Sequence, residues 1–139
     1  LSKSLNFRYF KERIKGFKKS IKNTLMDQSF ICGLGNIYVN EALFISKISP
    51  GRISFKIKDN EIILLIKSIK TILKKSIVFG GSTIKDFHNS QGKSGQFQNF
   101  FKVYGKEGQG CPRSSCKGTI QRSVISSRAT FFCTKCQVE

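Results

Sequence analysis

Residues 111–137 read CPRSSCKGTIQRSVISSRATFFCTKCQ, and their spacing decides how the C-terminal end of the chain folds. Cys111, Cys116, Cys133 and Cys136 fall in the pattern C-x4-C-x16-C-x2-C. Two close cysteine pairs separated by a stretch of hairpin length match a four-thiolate zinc site. Two disulfides are the competing reading. They suit a secreted chain, and the opening LSKSLNFRYFKER has no apolar stretch of the kind a signal peptide carries. Between the pairs, TIQRSVI and ATFFC read as two strand arms joined at Ser126-Ser127. A hairpin this small buries little apolar surface, so one structural Zn²⁺ is expected to hold it.

Upstream the patterning is helical. Residues 59–78 place Ile62, Leu65, Ile66, Ile69, Ile72, Leu73 and Ile77 at spacings of three and four. Asp59 and Glu61 sit in the first turn and Lys74 and Lys75 near the end, as the helix dipole favours. Residues 6–15 put Phe7, Phe10 and Ile14 on one face before Gly16, and a short helix is expected at Ser20–Met26. In FICGLGNIYVNEALF, residues 30–44, Gly33 and Gly35 break the chain, and Asn36 reads as the N-cap of a helix over Ile37–Ser46. Gly80-Gly81 ends the long helix, and Ser82 or Thr83 starts a short one through Phe87. Residues 89–99, NSQGKSGQFQN, form a polar loop. The expected fold is mainly α. It has a helical module over residues 1–90, a loop and connection over 91–104, and a small four-cysteine zinc β-hairpin finger over 105–139.

The chain has 139 residues, with 25 Lys and Arg against 8 Asp and Glu, a formal charge of +17. The excess is spread along the sequence, which points to a basic folded surface and a polyanion partner. A genome-driven bias towards Lys and Ile is the competing account. A hydrophobic fraction of 39% with 13 Phe excludes disorder. The apolar run Ile62–Ile77 is interrupted by Lys67, Lys70, Lys74 and Lys75, which excludes a membrane span there. The turn Gly33-Leu34-Gly35-Asn36 opens a helix, and free N–H groups at such a place bind anions; an ordinary capped turn is the alternative. Arg122 and Arg128 sit on the hairpin, where a rigid finger presents an arginine to a phosphate or leaves it solvated. Cys32 reads as a small buried hydrophobe, and the lone His88 supports neither a metal cluster nor a catalytic triad.

These residues together resemble one family. The finger segment, with Gly118, Ile120, Arg128, Ala129, Thr130, Phe132 and Gln137 beside its four cysteines, is similar to the zinc finger of bacterial formamidopyrimidine-DNA glycosylases. MDQSFICGLGNIYVNEALF resembles that family's helix–two-turns–helix element, and GGSTIKDFHNSQGKSGQFQNFFKVYGKEGQGC resembles the segment joining it to the finger. The resemblance implies a base-excision-repair role on double-stranded damaged DNA, by a glycosylase and abasic-site lyase that removes oxidised purines. By that resemblance Asn36 and Arg128 grip the phosphates flanking the damaged nucleotide. Gly35, Tyr38 and Tyr104 lie near the DNA backbone, and Glu41 is a buried structural carboxylate. Gln91, Gly92, Lys93, Ser94, Gly95, Gln96 and Phe97 form a lid over the everted base.

The family's amine nucleophile is an N-terminal proline followed by a glutamate, whereas this sequence opens Leu1-Ser2-Lys3. The chain is therefore expected to be the C-terminal part, inactive alone and completed by a separate N-terminal catalytic domain. It is expected to be monomeric and cytoplasmic. The rival reading is a non-catalytic zinc-containing nucleic-acid-binding protein, either of ribosomal type, since such proteins also use a helix–two-turns–helix, or a gene remnant.

Overall fold

The structure is a computed structural model that describes residues 6–27, 30, 34–78 and 101–138. Four α-helices and one two-stranded sheet make up the described residues: α1 Phe7–Ile14, α2 Ile21–Met26, α3 Asn36–Ile45, α4 Asp59–Val78, β1 Ile120–Ile125 and β2 Arg128–Cys133. Helices α1 and α2 start where short polar side chains satisfy free N–H groups. Asn6 accepts from the Tyr9 N–H at α1, and Ser20 accepts from the Asn23 N–H at α2. At α4, Glu61 reaches back to the Lys58 N–H at 2.9 Å.

Helix α3 is the centre of the molecule. Every residue from Ile37 to Phe44 is buried, so it shows no polar face, as expected of a helix enclosed on all sides. It packs against α4, α2 and β2. It stops in a Schellman motif: Lys47 adopts φ +63°, its N–H donates to the Phe44 carbonyl, and the Ile48 N–H donates to that of Leu43. The helical core gathers Phe10, Ile14, Leu25, Leu34, Val39, Leu43, Leu65 and Ile69.

A second, smaller core lies under the hairpin, where Phe44 of α3 meets Val103, Ile120, Phe131 and Cys133. The strands pair antiparallel from Ile120↔Cys133 to Ile125↔Arg128. Ser126 and Ser127 close the hairpin at φ +50° and +65°, the left-handed pair a two-residue turn needs. Strand β1 is largely exposed and β2 faces α3. The tail fastens the finger from the other side. Gln137 accepts from the Cys133 N–H at 2.8 Å and donates to the Ile48 carbonyl at 3.0 Å, and Ser49 and Val138 share a backbone hydrogen bond.

The expected helices at 6–15, Ser20–Met26 and 59–78 and the hairpin are present. One boundary differs. The N-cap of α3 is Gly35, without a side-chain cap, and Asn36 is the first helical residue. The Asn36 side chain is engaged with the finger instead, as described below. The short helix through Phe87, His88, Cys32, Gly33 and the lid Gln91–Phe97 lie outside the described residues.

Candidate nucleic-acid interface and metal centre

The finger meets the N-terminal end of α3 through two asparagines. The Asn36 amide donates to the Ala129 carbonyl at 3.1 Å. Asn40, fully buried one turn later, accepts from the Phe131 N–H at 2.7 Å and donates to the Asn36 carbonyl at 2.9 Å. Ala129 and Phe131 are alternate residues of β2, so the strand edge is zipped onto the helix start. Arg128 directly precedes Ala129 and is exposed. The two residues singled out from separate motifs, Asn36 and Arg128, therefore sit side by side.

A third group joins them. Lys22 of α2 is fully buried, and its Nζ has no hydrogen-bond partner among the described residues. Burial, and then the nearby charge of Arg128, lower its pKa from 10.5 to about 8. The Asn36 Oδ1 is likewise buried without a partner among the described residues. Buried polar atoms normally find partners, so these two mark a place built for something more. Gly35 is exposed, and a Cβ there would meet nothing within 4 Å. The first N–H groups of α3 have no side-chain cap and carry the positive end of the helix dipole. The exposed Arg128 and the uncapped start of α3 offer an anion a cation and free N–H groups, and the buried Lys22 amine feels the Arg128 charge.

Sequence reasoning did not single out Lys22 or Asn40. Lys22 is one of many lysines, and nothing local tells that it is buried. Tyr38 is buried, and its ring lies with Glu41, Ile45, Ile72 and Phe101 around a small cavity. Tyr104 is half-buried and packs edge-on against Phe131, with centroids 4.8 Å apart, and against Phe101 at 6.1 Å. Glu41 accepts from three successive N–H groups, those of Lys102, Val103 and Tyr104, at 2.6, 3.0 and 2.9 Å. Burial raises its pKa and those three bonds oppose the rise. It thus fastens the connection to the finger onto α3.

At the far end of the finger, the sulfurs of Cys111, Cys116, Cys133 and Cys136 lie within 4.8 Å of one another. Cys111 and Cys136 are 3.8 Å apart, and Cys116 and Cys133 are 3.6 Å apart. A tetrahedron with metal–sulfur bonds of about 2.3 Å has edges of about 3.8 Å, whereas a disulfide needs about 2.0 Å. The donor set therefore fits a tetrahedral thiophilic ion. Burial pushes the Cys111 thiol up to about 12. Burial also raises Cys133, but the backbone N–H groups of Cys136 and Lys135, together with the Cys116 and Cys136 thiols, outweigh it and bring that thiol down to about 7. One thiolate forms readily in such a cluster, and a bound cation is what lets the others ionise. Gly118 is required here, because a Cβ would lie 2.6 Å from the Cys133 sulfur.

Residues 1–88 match the family model described as "Formamidopyrimidine-DNA glycosylase H2TH domain". The chain belongs to that family. The formamidopyrimidine-DNA glycosylase of Neisseria meningitidis is 42% identical over 137 residues, covering 99% of this chain and 49% of that protein. That of Rickettsia massiliae is 44% identical over 133 residues, covering 96% of this chain and 47% of the relative. The structure is similar to that of the Lactococcus lactis Fpg in complex with DNA containing an abasic site. The TM-score is 0.85 at 38% identity, over 97% of this chain and 48% of that one. It is similar also to MutM in complex with carbocyclic 8-oxo-G containing DNA, with a TM-score of 0.84 at 38% identity over 97% and 47%. The chain spans about half the length of the curated family relatives it matches. Among the described residues no helix is long and apolar enough to cross a membrane.

Proposed function

We propose that this chain is the DNA-gripping, C-terminal part of a formamidopyrimidine-DNA glycosylase, acting in the cytoplasm on double-stranded DNA with oxidised purines. The observation that carries the reading is the Asn36–Ala129 hydrogen bond, which ties the bare start of α3 to the residue next to Arg128, whose charge is felt by Lys22. Asn36, Arg128 and Lys22 hold phosphates next to the damaged nucleotide. Phosphate contacts of this kind fix register on the duplex without reading sequence. Gly35 leaves room for a phosphate to approach the backbone, while Tyr38 and Tyr104 shape the surface from behind. Residues 91–97 act as a lid over a flipped base, since enzymes that work on a base must extrude it. One Zn²⁺ held by Cys111, Cys116, Cys133 and Cys136 supplies structural stability to the finger and takes no part in chemistry. The residues described supply grip and finger, over about half the length of the relatives the chain matches. The chain works as a monomer.

Anisotropy titration with duplexes carrying an abasic-site analogue tests the grip. Arg128→Ala and Asn36→Ala should each weaken binding by about 1.5–3 kcal/mol, equally for unrelated flanking sequences. With about four phosphates neutralised, log K should fall with log salt at a slope near −3.6. Unchanged affinity in both variants, with the circular dichroism of the parent, refutes the grip.

A further inference from the structure

Arg113 makes a fork that neither the zinc pattern nor the DNA grip requires. It lies in the turn between Cys111 and Cys116 and is half-buried. Its Nη1 donates to the Cys136 sulfur at 2.8 Å. Its Nη2 donates to the Phe44 carbonyl and, at 3.1 Å, to that of Ile45. The guanidinium carbon stands 4.0 Å above the Phe44 ring. One planar cation thus touches a ligand of the cysteine centre, the last carbonyls of α3 and an aromatic face together.

Each contact has a physical reason. The Schellman bonds at the end of α3 satisfy Leu43 and engage Phe44, but they leave the Ile45 carbonyl for an outside donor. That end carries the negative pole of the helix dipole, where a cation is favoured. Four thiolates around a divalent cation leave an excess of negative charge, and a charge-assisted N–H···S bond draws part of it off Cys136. Among the described residues Arg113 is the one side chain whose nitrogen reaches these sulfurs; the remaining donors are backbone N–H groups.

The two ends of α3 are therefore both held by the finger. Asn36 and Asn40 bind β2 at the N-terminal end, and Arg113 bridges the C-terminal end to the metal centre. A ten-residue helix is a rigid rod, so two anchors along it stop the finger from pivoting.

We propose that Arg113 is a positioning residue. Through its bond to the metal-bound Cys136 thiolate it locks the finger on α3, so that metal occupancy sets the placement of Arg128 beside Asn36. This rests on the DNA-grip reading only in the consequence for Arg128; the lock itself is independent of it.

The test uses the full chain with Arg113→Ala, Arg113→Gln and Arg113→Lys. In Co²⁺-loaded protein, the thiolate-to-metal charge-transfer band should shift in the Ala and Gln variants. Chelator competition should show Zn²⁺ affinity about tenfold weaker. Amide exchange at Phe131, whose N–H is held by Asn40 at the opposite end of α3, should quicken in all three zinc-loaded variants. Arg113→Lys keeps a cation at the helix end but cannot fork, so it should restore part of the Zn²⁺ affinity and little of the Phe131 protection. A plain helix cap predicts an unshifted cobalt band and full rescue by lysine, and that result overturns the proposal. So does a shifted band with Phe131 protection unchanged. Arg113→Gln retains a donor for the carbonyls and guards against loss of the fold in the alanine variant. DNA titrations in parallel separate the two readings. If Arg128→Ala binds DNA normally while the Arg113 variants shift both the band and the exchange, the grip fails and the lock stands.

Discussion

Replacing Lys22 by methionine should make the protein more stable and a poorer DNA binder. The side chain is fully buried and its Nζ lacks a hydrogen-bond partner among the described residues. Burial, with Arg128 adding to it, lowers its pKa from 10.5 to about 8. At pH 7 the amine is still protonated, so the fold holds a cation where a cation is unfavourable. At 1.36 kcal/mol per pKa unit the depression corresponds to about 3 kcal/mol. Arg128 is exposed and its charge is screened by solvent, so the part a mutation recovers is about 1–2 kcal/mol. Methionine has a similar length and no charge to desolvate. Lys22→Met should therefore raise the melting temperature by about 3–8 °C for a chain of this size. In the proposed grip the same change removes a charge-assisted phosphate contact of about 1.5–3 kcal/mol, so binding to an abasic-analogue duplex should weaken roughly tenfold to a hundredfold.

The pH dependence gives a sharper signature. The folded pKa lies below the unfolded one, so the penalty is fully present below about pH 8 and is relieved as pH rises from there towards 10.5. The stability advantage of Lys22→Met should shrink across that window. DNA affinity should run the other way. A bound phosphate stabilises the ammonium, so binding takes up a proton above about pH 8, and the parent protein's affinity should decline there by up to tenfold per pH unit while the variant's does not. Thermal melts and anisotropy titrations at pH 7 and pH 9 measure both. A destabilised Lys22→Met variant that binds DNA as well as the parent would refute the argument, since it would make Lys22 an ordinary core residue.

Two other perturbations follow from the same structure. Gly118→Ala places a methyl against the Cys133 sulfur, so metal binding should weaken by at least tenfold with the helical core intact; unaltered affinity in a chelator competition would show that the loop yields freely. Arg52 and Glu61 form a two-pronged ion pair with both N–O distances 2.6 Å. Burial raises the Glu61 pKa, but the hydrogen bonds from Arg52 and from the Lys58 N–H more than offset this and leave it lowered. Its stabilisation is thus complete above the unfolded carboxylate pKa and is lost as pH falls through the lower folded value. Glu61→Gln should cost about 3 kcal/mol at pH 7 and converge with the parent in acid; a difference independent of pH in urea unfolding would rule out the ion pair as its source.

What could be read in advance follows from how local each signal is. The long α4 announced itself through apolar residues three and four apart with charges matched to its ends, because one face of it meets solvent. The hairpin was legible from the cysteine spacing, and Ser126-Ser127 had to be its tip once ATFFC and TIQRSVI were paired. Helix α3 was harder. It is enclosed on every side, so it has no periodicity, and Asn36 looked like a cap because asparagine favours that place. The Ala129 carbonyl, remote in sequence, takes the amide instead. Tyr38 was assigned to the DNA surface by resemblance; the residue is buried, and nothing local in the sequence tells that. Lys22, Asn40 and Arg113 were silent for a shared reason: each acquires its meaning from a partner on another segment, and a one-dimensional pattern carries no trace of that.

Two of the silent residues, Asn40 and Arg113, help to join the modules. Asn40 and Asn36 tie β2 to the start of α3, Arg113 ties the cysteine turn to its end, and Glu41 ties the connection to its middle. The proposed grip combines Lys22 from α2, Asn36 from α3 and Arg128 from β2, so it requires the finger to be docked. Docking energy and phosphate affinity are then two readings of one equilibrium. A substitution that loosens the finger by a given free energy can weaken DNA binding without touching a phosphate, once the undocked form becomes the major one. Variants at Asn40 separate the two effects. Asn40→Ala leaves Arg128, Lys22 and Asn36 in place chemically while freeing the Phe131 N–H, so any loss of DNA affinity should be matched by faster Phe131 exchange. Loss of affinity with exchange unchanged would mean that docking and grip are separate after all.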